Sequence, residues 1–211
     1  AATSAGKVAG YVQNGINTPN EARSFMNKPR MEGGDDLICN GNYQTQNRSM
    51  LEIKVGEKTY YALNDVVLQR STSGNRFSNT VDLRAEINGS TVDNFTSDGI
   101  IVSTPTGSTA YSLAAGGSVM TPDLKAFIMT PICAHSLHSR PVVYSDDSVL
   151  KIYQTENGTP LNIVIDGRII GELTEGAIVV IKKADRYAEF ITRNDNDFFK
   201  KLLLKLNIWS K

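Results

Sequence analysis

With 211 residues, of which 40% are hydrophobic and 21% charged, the chain has the composition of one large or two small globular domains with a real core. Lys plus Arg and Asp plus Glu stand at 22 each, which argues against a dedicated nucleic-acid binder, since that would carry excess positive charge. No apolar run approaches the roughly 20 residues needed to span a bilayer, and Ala1–Gly10, with only Lys7 and no long apolar segment, is not expected to act as an export signal. Cys39 and Cys133 lack metal-ligand spacing and cannot build a disulfide framework. They read as buried thiols in a reducing compartment, so a cytoplasmic protein without membrane or nucleic-acid partners is expected.

Residues 1–49 are read as a remnant or linker segment with short elements. Val8–Val12 is a possible strand, and Thr18-Pro19-Asn20-Glu21 has the residues of a helix start. That helix is expected to run to Asn27, ahead of Lys28-Pro29. Gly33-Gly34-Asp35-Asp36 is a turn, and Asp35–Asn40 is a further short helix. From residue 50 the texture becomes that of a β-rich domain, 50–211. Met50–Val55 alternates, turns at Gly56-Glu57 and resumes as Thr59–Leu68. Val81–Ile87 alternates, turns at Asn88-Gly89 and returns through Thr91–Phe95, and Asn-Gly between alternating runs is a strong hairpin signal.

Ser97–Gly117, SDGIIVSTPTGSTAYSLAAGG, is the most distinctive stretch. Ile100-Ile101-Val102 reads as a buried strand. A loop rich in hydroxyls follows, Ser103–Thr109, and then a helix is expected over Ala110–Ala115, stopped by Gly116-Gly117. Strand, polar loop and helix start can present N–H groups to an anion or polar ligand. The same residues also make ordinary helix caps. Strands are expected at 127–130, 141–144, 148–153, 161–165, 168–171, 177–182 and 188–192, with Asp166-Gly167 as a turn. An amphipathic helix over Asp197–Leu206 is expected to dock on the sheets through Phe198, Phe199, Leu202, Leu203 and Leu206. The fold class expected is mainly β: a two-sheet antiparallel β-sandwich-like domain with a few short helices and a C-terminal helix.

Three other places carry chemistry. Asn64-Asp65 sits inside an apolar run, where an amide and a carboxylate need partners; it is either a turn or a pair suited to a nucleoside. His135 and His138 lack the third ligand of a metal site, so no metal is expected, and His135 reads as bonding backbone across a loop. Arg140 suits a phosphate, or pairs with Asp146 or Asp147.

The string Asp98–Leu113 closely resembles the signature of the NAD kinases, which phosphorylate NAD to NADP. Ala62–Val67 resembles their Asn-Glu/Asp motif. Thr130–Val143 is similar to their Pro-x-x-x-His-Ser-Leu-x-x-Arg-Pro segment, Val164–Gly167 to their late Asp-Gly turn, and Lys200–Trp209 to their C-terminal ending. Weaker counterparts extend the likeness over about residues 6–211. The resemblance implies transfer of phosphate from ATP, with Mg2+, or from polyphosphate, to the 2′-hydroxyl of the adenosine ribose of NAD. It implies NAD contacts from Asn64, Asp65, Asp98, Thr106, Thr109, Ala110, Tyr111 and Asp166, and a homo-oligomer, dimer or tetramer. Tyr111 would lay its ring against a base.

The family also has an N-terminal α/β domain with a Gly-Gly-Asp-Gly motif, whose Asp is implied to be the catalytic base. Gly33-Gly34-Asp35-Asp36 is not read as that motif, because it lies too close to Asn64 and its fourth residue is Asp. No catalytic base is therefore named. The chain is expected to carry the NAD-binding half without the phosphoryl-transfer half. The alternative is a non-catalytic nucleotide-binding or oligomerisation β domain.

Overall fold

The structure, a computed structural model, describes residues 44–71, 80–136, 138–155, 160–173, 176–192 and 198–209. The elements expected before residue 44, including Gly33–Asp36, lie outside these. The chain divides into one unit of Ser49–Tyr187 and a second formed by Ala1–Arg48 with Ala188–Lys211. The described parts of the second include the helix Phe198–Trp209, which runs three residues beyond the expected end. In it the Phe198 and Phe199 rings meet edge to face, 5.3 Å apart. Among the described residues no helix is long and apolar enough to cross a membrane.

Among the described residues, two six-stranded sheets make up the β structure. The first is ordered β2 (Lys58–Ala62), β1 (Gln44–Val55), β12 (Ile178–Thr192), β9 (Leu150–Gln154), β4 (Val81–Ile87), β5 (Ser90–Ser97). The second is ordered β11 (Arg168–Leu173), β10 (Leu161–Ile165), β3 (Asp65–Arg70), β6 (Gly99–Ser103), β7 (Ala126–Ile132), β8 (Val142–Ser145). Neighbours such as β3 and β6, or β4 and β9, run antiparallel. The mainly β, two-sheet class expected from the sequence is what the chain adopts.

Alternation decides which face is buried. On β4, Val81, Leu83 and Ala85 are buried while Asp82, Arg84 and Glu86 between them are half-buried. These inward residues join Leu51, Ile53, Ile152 and Val179 of the first sheet and Leu68, Ile100, Phe127 and Ile163 of the second in one core between the sheets. The middle strands of the second sheet do not alternate. Every residue of β6 and β7 is buried, because a segment lies over their far face as well. There Val67, Ile101 and Ile132 pack with Ala115, and Met120 packs with Ala126 and Ile128.

All three expected hairpin turns are present, Val55 pairing with Lys58 across Gly56-Glu57. Asn88-Gly89 and Asp166-Gly167 have positive φ at both positions, 51° and 83°, then 45° and 78°, which closes a two-residue loop that matches strand twist. Three expectations fail. Thr59–Leu68 is two strands, because the chain leaves the first sheet at Ala62 and enters the second at Asp65. The intervening N–H groups of Leu63 and Asn64 bond Asp166 in place of a ladder. The strands expected at Ala177–Lys182 and Ala188–Thr192 are parts of one strand, β12, which begins at Ile178. In the polar run between them, Lys183 bonds Asp146 at 2.7 Å and the Arg186 guanidinium lies 3.9 Å from the Tyr61 ring centroid. The helix over Ala110–Ala115 is reduced to a 3-10 turn, Gly107–Thr109, and a four-residue α-helix α1, Tyr111–Ala114. Ala110, at φ −102° and ψ −127°, separates them.

Candidate functional site

The site is built around the bend Leu63–Asp65, at the start of β3. Every backbone polar group of these three residues has an internal partner. Leu63 N–H donates to Asp166 Oδ2 at 2.8 Å, and Asn64 N–H donates to Asp166 Oδ1 at 2.8 Å. Asp65 N–H reaches the same Oδ1 at 3.2 Å. The Leu63 carbonyl accepts from Thr104 Oγ1 at 2.6 Å, and the Asn64 carbonyl accepts from Thr104 N–H at 2.9 Å and from Ser103 Oγ at 3.1 Å. The Asp65 carbonyl accepts from Asp166 N–H at 3.1 Å. A bend that leaves the ladder thus keeps its backbone satisfied. Among the described residues, no partner reaches the side-chain amide of Asn64 or the carboxylate of Asp65.

The hydroxyl loop sits directly against this bend. Thr104 Oγ1 accepts from Gly107 N–H at 3.1 Å, so one buried hydroxyl ties loop to bend and closes the turn. Gly107 approaches so closely that a Cβ there would lie 2.6 Å from Asn64 Cα and against its carbonyl. Ser108 Oγ donates to the Pro105 carbonyl at 2.7 Å and accepts from Met120 N–H at 3.0 Å. Ser112 and Thr130, both fully buried, share a hydroxyl bond of 3.0 Å. These hydroxyls are structural. With only four residues, α1 also carries too little aligned dipole to seat an anion, which removes the helix-start reading of the loop.

The carboxylates differ in surroundings. Asp65 is 5% exposed. Burial, and secondly the charge of Asp166, push its carboxyl up from 3.8 to about 6. Asp166 is exposed and takes its place from the hairpin turn, at φ 45°. Thr106, Thr109 and Ala110 are half-buried along the loop; Thr109 Oγ1 makes only a long contact, 3.5 Å, to the Thr106 carbonyl. The Tyr111 side chain is 43% exposed at the start of α1.

Asn64, Asp65 and Asp166 are therefore brought together with the loop bearing Thr106, Thr109, Ala110 and Tyr111. Asp98 is not among them. Asp65 pairs with Ser103 and Gln69 with Gly99, so Asp98 stands beyond the opposite end of β6, about 17 Å away at ~3.3 Å per residue. There it faces Arg70 at 3.6 Å. Arg140 belongs to the β5 edge of the first sheet: its Nη1 donates to the Ser139 carbonyl, and Ser139 Oγ donates to Asp93 on β5. Arg140 does not pair with Asp146, which is buried against Lys183. His135 anchors its segment through its backbone N–H, which donates to the Thr96 carbonyl at 2.8 Å, while its side chain is exposed. Cys133, expected buried, is exposed in a left-handed turn at φ 47°. Sequence reasoning missed the hold of Asp166 on the bend, for which no local signal exists, and the role of Thr104, whose place in a Ser/Thr-rich loop was visible.

These two sheets, with a loop laid across one of them, are the architecture of the β domain found in NAD kinases. The chain resembles the crystal structure of yeast NADH kinase complexed with NADH, with TM-score 0.71 and 29% identity over 80% of this chain and 50% of that one. It shares its fold with an NAD kinase from Archaeoglobus fulgidus in complex with ATP, with TM-score 0.64 and 24% identity over 78% of this chain and 61% of that one. Sequence relatives agree. An NAD kinase from Thermoanaerobacter sp. (strain X514) is 38% identical over 176 residues, covering 81% of this chain and 61% of the relative. Another, from Koribacter versatilis (strain Ellin345), is 43% identical over 148 residues, covering 70% and 50%. Residues 63–193 match the ATP-NAD kinase C-terminal domain, and the chain belongs to that family. It spans between half and two thirds of the length of these relatives.

Proposed function

We propose that this chain is the NAD-binding part of an NAD kinase, an enzyme that transfers phosphate from ATP to the 2′-hydroxyl of the adenosine ribose of NAD and so makes NADP. The observation that carries the reading is the bend Leu63–Asp65. Its backbone is satisfied within the protein, which leaves the Asn64 amide and the Asp65 carboxylate as the groups held out for a partner. An amide can pair with a base edge, and an ionised carboxylate can accept from two ribose hydroxyls. In this reading Asn64 meets the adenine, Asp65 a ribose, and Thr106, Thr109 and Ala110 line the nucleotide. The exposed ring of Tyr111 stacks on a base. Asp98 and Arg140 stand apart from this set and are given no contact.

Mg2+ would enter with the triphosphate. Among the described residues no three His, Cys, Asp or Glu side chains gather to hold a metal, so no protein ligand set is assigned to it and no step runs through it. Nor is a base assigned among the described residues. The family resemblance supports a cytoplasmic homo-oligomer, dimer or tetramer, and either ATP or polyphosphate as donor.

Calorimetry with NAD, followed by single-turnover assay with ATP and Mg2+, tests the proposal. Saturable NAD binding supports it, and it is lost on Asn64→Ala or Asp65→Asn. Binding without NADP formation would assign this chain the acceptor site alone. A folded chain that binds neither NAD nor NADP would overturn the reading in favour of an oligomerisation domain.

A further inference from the structure

We propose that Asp166 is a positioning residue, whose carboxylate holds the Leu63–Asp65 backbone so that Asn64 and Asp65 meet the ligand, and that it does not itself bind the ligand. The inference rests on the NAD-site reading above but assigns Asp166 a different part in it. Geometry carries it. One carboxylate collects three consecutive N–H groups of the bend, at 2.8, 2.8 and 3.2 Å, from residues about a hundred positions earlier in the chain. Its own N–H returns a bond to the Asp65 carbonyl at 3.1 Å, so bend and turn clasp each other in both directions. Oδ1 accepts two of these bonds and Oδ2 one, which leaves little acceptor capacity for a sugar hydroxyl. Charge-assisted bonds of this kind are the strong ones, and three on one anion fix its position.

The clasp has an electrostatic consequence that a plain scaffold residue would not have. Asp65 is flanked by Asp166 from the β10–β11 turn and by the uncharged Ser103, its partner on β6. Among the described residues Asp166 is the charged group that acts on it, and its charge adds to burial in raising the Asp65 carboxyl. Replacing Asp166 with Asn keeps the size, removes the charge, and sets an NH2 group against one of the N–H donors.

The test uses the whole chain and NMR alongside calorimetry. In the unmutated chain, scalar couplings across the hydrogen bonds are expected from the Leu63 and Asn64 amide nitrogens to the Asp166 side-chain carbonyl carbon. In Asp166→Asn, amide exchange at residues 63–65 should accelerate, the Asp65 carboxyl should titrate at lower pH, and NAD affinity should fall about tenfold through lost preorganisation. Missing couplings overturn the proposal without any variant, which covers the case in which Asp166→Asn does not fold. Lost NAD affinity with unchanged amides and unchanged Asp65 titration would make Asp166 a direct ligand and also overturn it. If the unmutated chain binds no NAD, the NAD reading fails, while the couplings and the Asp65 titration still decide the clasp.

Discussion

In the loop Ser103–Ser112, the hydroxyls of Ser103, Thr104, Ser108 and Ser112 are all taken up inside the protein. In the bend Leu63–Asp65 it is the backbone that is taken up, and the side chains of Asn64 and Asp65 are left over. The loop has the more conspicuous chemistry, yet most of it is scaffold. The bend has two polar residues, and both remain available. The difference follows from burial. A loop laid over a sheet must satisfy every polar group it buries, and small hydroxyls do so at short range. A bend whose backbone is satisfied by a distant carboxylate and a neighbouring threonine can keep its own side chains for another purpose.

The largest expected effect that tests this contrast is at Asp65. Its carboxyl is pushed up from 3.8 to about 6 in the folded protein. A raised folded value means that the folded state holds the proton more tightly than the unfolded chain, so stability falls as pH rises from about 4 to about 6 and stays lower above. The buried charge then costs about 3 kcal/mol at neutral pH. Asp65→Asn should therefore stabilise the fold by up to about that amount at pH 7.5 and hardly at all near pH 3.5, while abolishing NAD binding. Denaturant melts at the two pH values check it; a variant no more stable than the parent at pH 7.5 would show that the carboxylate has a partner in the fold.

A smaller effect is expected at Thr104. Valine has nearly the same shape but cannot donate to the Leu63 carbonyl or accept from Gly107 N–H. The half-buried Leu63 carbonyl and the buried Gly107 N–H would both lose that partner, for a loss of about 2 kcal/mol. Thr104→Val should lower the unfolding midpoint at every pH, unlike Asp65→Asn. If stability is unchanged, the loop does not hold the bend.

The two halves of this contrast were unequally legible in the sequence. Asn88-Gly89 and Asp166-Gly167 announce their hairpins because the left-handed conformation is a local demand that Asn, Asp and Gly meet at little cost. Ile100–Val102 announces a strand buried on both faces. The break at Leu63-Asn64 is not announced, since its cause is an acceptor about a hundred residues away. The four-residue α1 is not announced either, because nothing in Ala110–Ala115 by itself opposes a longer helix. Asn64 and Asp65 stand out in the sequence through their likeness to a family motif, and polar groups inside an apolar run give a physical reason to look at them as well. That Asp166 reaches the bend, and that Asp98 lies at the other end of β6 with Arg70, are matters of register that only the assembled sheet decides.

Tyr111 gives the smallest effect on the fold and the sharpest separation of scaffold from site. Its neighbour Ser112 is buried and bonded to Thr130, whereas Tyr111 is 43% exposed and its ring appears in none of the aromatic contacts among the described residues. Tyr111→Ala should change folding stability by no more than about 0.5 kcal/mol, the usual range for an exposed position without a special role. If the ring stacks on a base, NAD affinity should fall by about 1–3 kcal/mol. Phenylalanine at this position keeps the stacking face and should restore most of the loss. Ser112→Ala, one residue on, should do the reverse: it leaves Thr130 Oγ1 buried without its partner, costs about 1 kcal/mol of stability, and leaves NAD affinity nearly as it was. The side by side measurement of unfolding and NAD calorimetry for the two variants is decisive, because adjacent residues on one short helix should then fall on opposite sides of the division between scaffold and site. Equal losses in both quantities for both residues would mean that α1 acts as one element and that the division drawn here stops at the bend.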